Sequence, residues 1–123
     1  MSAISVAELA LWQRGGFTHT LIDVRRAEKR AAEGDEIPGG CWLDPAHWLE
    51  WKDAIPTDRP AVVYCAYGHE ISQGLTAALR ALGVDARHLN DGIAGWREAG
   101  QVVAAVEPAP AANSAPGWSR TSP

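Results

Sequence analysis

Ala61-Val62-Val63-Tyr64-Cys65-Ala66-Tyr67-Gly68-His69-Glu70-Ile71-Ser72-Gln73-Gly74 is the stretch on which the reading of the whole chain turns. An apolar run ends in a cysteine, and a short polar loop then opens into a helical pattern. Ala61 to Tyr64 is β-branched and aromatic and is bounded by Pro60, which suits a strand buried on both faces of a parallel sheet. Downstream, Ile71, Leu75, Ala78, Leu79 and Leu82 recur at i, i+4, i+7, i+8 and i+11, the apolar stripe of a helix packed on a sheet, and Gly83 ends it.

Cys65 is thereby placed at the carboxyl end of a strand and just before a helix amino terminus. Unpaired backbone N–H groups and the helix dipole make such a place electropositive, so a thiol that ordinarily titrates near about 8.5 can fall to roughly 3.5–7.5. The thiolate is the nucleophilic form. Gly68 lets the loop backbone curl so that successive amides point inward, a nest for an anion or for negative charge on sulfur. Against this stands the ordinary role of a free cysteine as a small buried hydrophobe. The residues alone leave both readings open.

Working outward from the loop, Thr20 to Val24 reads as a strand that delivers Asp23 and Arg25 to its carboxyl end, the edge where α/β sheets place their sites. For Arg25 the simpler role is an ion pair that holds the following turn. Ser5 and Glu8 form the capping box of a first helix closed by Gly15-Gly16. Arg26 to Glu33 reads as a short exposed helix stopped by Gly34, Ile37-Pro38-Gly39-Gly40 as a turn, and Cys41 to Leu43 as a brief strand. Asp44-Pro45 starts a helix with an aspartate cap and proline at its first position. Trp48 and Trp51 share one face of it and read as core. Cys41 reads as packing, with a resolving thiol as the alternative if it lies within reach of Cys65. Ala86 to Leu89 is a further strand, Asp91-Gly92 turns into a short helix carrying Trp96, and Val102 to Val106 is a last extended piece. Strands alternating with helices predict an α/β protein with a mainly parallel central sheet and right-handed crossovers.

Composition narrows the class. At 123 residues the chain is expected to be one domain over residues 1–106, followed by a disordered tail rich in Ala, Pro and Ser over 107–123. With 46% hydrophobic and 21% charged residues it resembles an ordinary globular protein. A net charge of −4 gives no basic footprint for nucleic acid. Two cysteines outside any Cys-x-x-Cys or His-rich pattern suggest neither a disulfide framework nor a metal site. No stretch approaches the roughly 20 apolar residues of a membrane span. No basic segment precedes an apolar core at the start, so no signal peptide is expected and a reduced cytoplasmic setting fits.

The loop resembles the active-site loop of rhodanese-like sulfurtransferases. The resemblance extends to Leu21-Ile22-Asp23-Val24-Arg25, Ile37-Pro38-Gly39-Gly40 and Leu89-Asn90-Asp91-Gly92-Ile93-Ala94-Gly95-Trp96, in the family's order and spacing over roughly residues 5 to 100. It implies the three-layer rhodanese-like fold, a mainly parallel sheet flanked by helices. It also implies a sulfurtransferase that takes a sulfane sulfur from thiosulfate or a persulfide, carries it as a Cys65 persulfide and passes it to a thiol or cyanide. By the resemblance Cys65 is catalytic, Ala66, Tyr67, Gly68, His69, Glu70 and Ile71 form the substrate-binding loop, and Asp23 and Arg25 lie near the site. No cofactor is implied. The expected partners are a small sulfur donor and a thiol acceptor, or a protein persulfide, with the chain a monomer or homodimer.

The departures from the family lie in the loop. Where many members place an arginine followed by serine or threonine, this chain has Glu70 and Ile71, and Ser72 comes one residue later. The loop therefore lacks the family's donor-binding cation. A carboxylate there repels an anionic donor such as thiosulfate by about 1–3 kcal/mol if the site is partly dehydrated, or merely complements the positive end of its helix. His69 either moves a proton or points to solvent, and Tyr67 either selects an acceptor or covers the loop. Glu36 stands where the family usually has histidine. The related phosphatases and arsenate reductases carry an arginine six residues after the cysteine, where Ile71 stands here, which argues against phosphoryl chemistry. The alternative to catalysis is a non-catalytic rhodanese-like module for binding or for sensing redox or oxyanion stress. Glu70 keeps that open, because the loop is similar to those of small rhodanese-like proteins associated with chromate resistance.

Overall fold

The capping box predicted at Ser5 forms reciprocally: the Ser5 hydroxyl accepts from the Glu8 amide and the Glu8 carboxylate accepts from the Ser5 amide, each at 3.0 Å. It opens α1 (Val6–Gly15), which ends on Gly16 in the left-handed region at φ 72°. The computed structural model describes residues 2–106. Its elements run β1 (Ala3–Ile4), α1, β2 (Thr20–Asp23), α2 (Ala27–Glu33), β3 (Asp35–Glu36), β4 (Cys41–Trp42), α3 (Trp48–Trp51), β5 (Ala61–Tyr64), α4 (Glu70–Ala81), β6 (Ala86–Leu89), α5 (Gly92–Glu98) and β7 (Ala104–Ala105).

Five strands form one parallel sheet in the order β1-β6-β5-β2-β4. β5 lies at its centre, and all four of its residues are buried, as its uninterrupted apolar sequence requires. Alternation along the strands supplies two cores. Ile22, Val24, Ala61, Val63 and Cys65 face Leu79, Val84, Trp51 and Ile55 on one side, the side of α3 and α4. Leu21, Val62 and Tyr64 face Leu9, Ala10, Ile93 and Trp96 on the other, the side of α1 and α5. The result is the three-layer arrangement expected. Each fully buried Val or Ile contributes on the order of 1.5–3 kcal/mol, so Val62 and Val63, on opposite faces, bind both helical layers to the central strand.

The structure corrects several boundaries. The segment after Asp44-Pro45 is not one helix but a 3-10 turn (Pro45–His47), α3, and a second 3-10 turn (Lys52–Ala54). The Asp44 carboxylate does cap it, accepting from the Ala46 amide at 2.9 Å. Trp48 and Trp51 pack edge to face at 5.0 Å between centroids, and Trp51 is buried, as core. The buried line of α4 is Ser72, Thr76 and Leu79, flanked by Ile71 and Leu75, and Leu82 is 43% exposed. The stripe predicted from apolar residues is thus rotated towards two hydroxyl side chains. Two features were not anticipated: β1 at the sheet edge, and the pairing of β3 with β7, antiparallel, Asp35 to Ala105 and Glu36 to Ala104. The last extended piece is accordingly shorter than Val102 to Val106. The predicted tail, 107–123, lies outside the described residues. Among the described residues no helix is long and apolar enough to cross a membrane.

Candidate active site

Parallel pairing sets the site. Asp23 is level with Tyr64 across β2 and β5, and the Val24 amide donates to the Tyr64 carbonyl at 2.9 Å, so the chain leaves both strands side by side at their carboxyl edge. Cys65 is the first residue beyond β5 and is 7% exposed. Its Sγ lies 3.2 Å from the Ser72 hydroxyl, which is buried, and that hydroxyl donates to the His69 carbonyl at 3.3 Å.

The loop between Cys65 and α4 is held by backbone. Ile93 and Ala94, in the first turn of α5, donate to the Cys65 and Ala66 carbonyls at 3.0 Å each. Gly68 has φ 77°, and a Cβ there would stand 2.7 Å from the Asp91 nitrogen and 2.9 Å from the Leu89 carbonyl, so only glycine fits. The Gln73 side chain donates to the Gly68 carbonyl at 2.8 Å and fixes the turn from α4. Among the described residues, the amides of residues 66–72 donate to no protein acceptor. The loop that the sequence predicted as a nest is therefore a run of unpaired donors at the start of α4, suited to an anion or to charge on sulfur.

A cavity of about 510 Å³ opens over Cys65, lined by Arg25, Arg26, Lys29, Ala66, Tyr67, His69, Glu70 and Ile71. Tyr67 is 51% exposed, and His69 and Glu70 are exposed as well, at the rim. The Tyr67 and His69 rings stand 6.3 Å apart. Gly68 and Asp23 do not line the cavity; Gly68 shapes it from behind, and Asp23 lies below it in a buried charge network. The Asp23 carboxylate accepts from the Arg25 guanidinium at 2.7 Å and from the Tyr64 hydroxyl at 3.2 Å, and that hydroxyl accepts from the Ile37 amide at 3.1 Å. Arg25 also donates to Glu33 at 2.8 Å and to the Asp35 carbonyl at 2.8 Å. Burial opposes the Arg25 charge, but Asp23 and Glu33 outweigh it and lift its pKa above the usual value. Burial, joined by the Asp23 charge, raises the Tyr64 phenol above its ordinary range. The ion-pair role favoured for Arg25 is the one it has.

The carboxyl edge of β2 also supplies what the loop lacks. Arg26 and Lys29 reach the cavity from the start of α2, with Lys29 Nζ 5.2 Å from the Tyr67 ring centroid. The site is thus not short of cations; they come from a neighbouring element rather than from the loop. Sequence reasoning missed Ser72, Arg26 and Lys29. The signal for the last two was their place directly after the strand that flanks β5. Cys41 is level with Ile22, as is Val63 on the other side, so it lies two strands from β5 and two residues short of Cys65. Strand spacing alone separates them by roughly 10 Å, beyond the roughly 4.4–6.8 Å between α-carbons of a disulfide. Cys41 is packing against the core that holds Cys65.

The sequence profile of the rhodanese-like domain matches residues 5–99. This chain belongs to the rhodanese-like domain family. A curated relative, the probable adenylyltransferase/sulfurtransferase MoeZ of Mycobacterium tuberculosis, is 35% identical over 99 residues, covering 77% of this chain and 24% of its own length. The chain therefore spans about a quarter of the length of that relative. Among solved structures, a rhodanese-related protein from Thermoplasma volcanium superposes with TM-score 0.73 at 23% identity, covering 85% of this chain and 98% of its own. A thiosulfate sulfurtransferase from Pseudomonas aeruginosa does so with TM-score 0.71 at 22% identity, covering 85% of this chain and 19% of its own. These two likenesses speak to the fold. In this rhodanese-like domain, then, Cys65 stands between the central strand β5 and the loop that opens α4.

Proposed function

We propose that this rhodanese-like domain is a sulfurtransferase in which Cys65 carries the sulfur as a persulfide. The observation that carries the reading is the thiol at the base of the cavity, 3.2 Å from a buried hydroxyl and beside a run of unpaired amides. Membership of the family and the relative named as a sulfurtransferase support it. The Cys65 thiolate attacks the outer sulfur of the donor, and the sulfur–sulfur bond of the donor breaks with its electron pair. Thiosulfate leaves as sulfite; a persulfide R–S–SH leaves as the thiolate R–S⁻, its proton remaining on the transferred sulfur. The new outer sulfur of Cys65 is then attacked by a thiol or by cyanide, and Cys65 returns as thiolate. The loop amides hold negative charge on the outer sulfur without reorganising. Ser72 positions and solvates the thiolate by turning its hydroxyl hydrogen from the His69 carbonyl to Sγ.

The second reading is a sensing module in which the same thiol responds to oxidants or oxyanions, favoured by the Glu70 carboxylate at the cavity rim. Turnover separates them. With thiosulfate or glutathione persulfide as donor and cyanide as acceptor, sulfurtransferase activity is expected from the native chain and none from Cys65→Ser. No thiocyanate above background with either donor would overturn the catalytic reading.

A further inference from the structure

Cys65 and α5 lie in opposite layers. The Cys65 thiol meets Ser72 and packs in the core that holds Leu79, on the side of α4. Ile93 and Trp96 of α5 pack in the other core. The Cys65 and Ala66 carbonyls nevertheless turn to α5, where each accepts at 3.0 Å, from the Ile93 and Ala94 amides respectively. All peptide bonds of the described residues are trans, and in a planar trans peptide the N–H points opposite to the carbonyl. Anchoring these two carbonyls on α5 therefore turns the Ala66 and Tyr67 amides the other way, into the layer that holds Sγ.

The approach that permits this depends on a second tight turn. A Cβ on Gly92, which has φ 57°, would stand 2.4 Å from the Cys65 carbonyl oxygen and 2.7 Å from the Ala66 carbonyl. Gly68 meets the same turn from the other side, where a Cβ would stand 2.7 Å from the Asp91 nitrogen and 3.1 Å from that of Gly92. Between them Asp91 has φ 66°, and it is the one non-glycine residue with positive φ among the described residues. Its side chain makes no cap on α5, so no local hydrogen bond of that kind accounts for the conformation. Backbone held in this region persists where its surroundings fix it, and such positions cluster beside reactive groups.

We infer that the Asp91-Gly92 turn is a positioning element for sulfur transfer: through Gly92 it seats the loop peptides so that the Ala66 and Tyr67 amides face the Cys65 sulfur. Gly92 is thus a positioning residue although it does not line the cavity. This deepens the sulfurtransferase reading and rests on it for its purpose. Amides aimed in advance stabilise the thiolate and the charge that develops on the transferred sulfur, whereas a carbonyl turned to the same place would repel both.

Alkylation of Cys65 by iodoacetamide, located by peptide mass, tests this with no sulfur donor present. Gly92→Ala closes the approach. Ala94→lactic acid replaces one amide N–H by an ester oxygen, with no added bulk. Ala99→lactic acid is the control, since it removes the Ala99 amide bond to the Gly95 carbonyl at the far end of the same helix. At pH 7 alkylation should be about tenfold slower in Gly92→Ala and about threefold slower in Ala94→lactic acid. Both should meet the native rate at pH 10, where hydroxide ionises the thiol without the amides, and the control should stay within about twofold throughout. Equal effects of the two esters, an unchanged rate in Ala94→lactic acid, or slowing that is the same at both pH values would each overturn the inference. Should Gly92→Ala not fold, the pair of esters decides. Failure of the sulfurtransferase reading is seen separately, as absence of sulfur loading on native Cys65 with any donor.

Discussion

Cys65 Sγ and Ser72 Oγ lie 3.2 Å apart, both shielded from solvent, with the serine oxygen 3.3 Å from the His69 carbonyl. A hydroxyl has one hydrogen and can serve either the carbonyl or the sulfur. With the thiol protonated it accepts from sulfur and donates to the carbonyl; with the thiolate it turns to the sulfur. A hydrogen bond to a charged group is worth about 1.5–3 kcal/mol. Ser72→Ala should therefore slow alkylation of Cys65 by iodoacetamide at pH 7 by about tenfold to a hundredfold. An unchanged alkylation rate in a folded variant would remove Ser72 from the mechanism.

Glu70 sits at the rim with its side chain in solvent, so its repulsion of anions is screened and lies at the low end of what a carboxylate can exert. Glu70→Arg should raise kcat/KM for thiosulfate by about fivefold, corresponding to about 1 kcal/mol. Steady-state assay of thiocyanate formation checks this; a fall in thiosulfate turnover would contradict it.

Arg25 supports the site from beneath rather than from within it. Its removal strands the buried Asp23 carboxylate, and breaking such a pair costs about 3–5 kcal/mol. Arg25→Ala should lower the urea midpoint accordingly, and Arg25→Lys should recover only part, because one ammonium cannot satisfy Asp23, Glu33 and the Asp35 carbonyl together. A loss under about 1 kcal/mol in Arg25→Ala would contradict the account.

Legibility in the sequence followed the strength of the local signal. The strand at Ala61 to Tyr64, the capping box at Ser5 and the turn at Gly68 were readable because each has a short-range cause. The cations of the site were not, because Arg26 and Lys29 are ordinary residues of an exposed helix until β2 and β5 pair. Ser72 was hidden by its chemistry: apolar periodicity weighs Ile71 and Leu75 and is blind to a hydroxyl buried against sulfur. β3 and β7, two residues each, carry no periodicity of their own and pair across a long interval of chain.

The start of β3 is clamped to α5 by charge, and this should show in pH dependence. Arg97 donates to Asp35 at 2.6 Å and to Glu33 at 3.3 Å. The Arg97 hydrogen bond holds Asp35 below the usual carboxylate range; for Glu33, burial pulls upward but Arg25 and Arg97 prevail and its pKa is also lowered. Carboxylates depressed in the folded state stabilise it above their unfolded values of about 3.9 and 4.3, and that stability is lost as pH falls through the folded values. Urea denaturation should therefore show stability falling below about pH 4, and Arg97→Met should flatten that decline while costing about 1 kcal/mol at pH 7, given the partial exposure of the clamp. An acid limb of unchanged slope in the variant would contradict the assignment.

The central claim is that Cys65 accepts a sulfur atom, and intact-mass spectrometry reads it directly. After incubation with glutathione persulfide and, separately, with thiosulfate, the native protein should gain about 32 Da, one sulfur, lost again on adding cyanide or a thiol and absent from Cys65→Ser. No gain with either donor, or a gain that persists in Cys65→Ser, would contradict it.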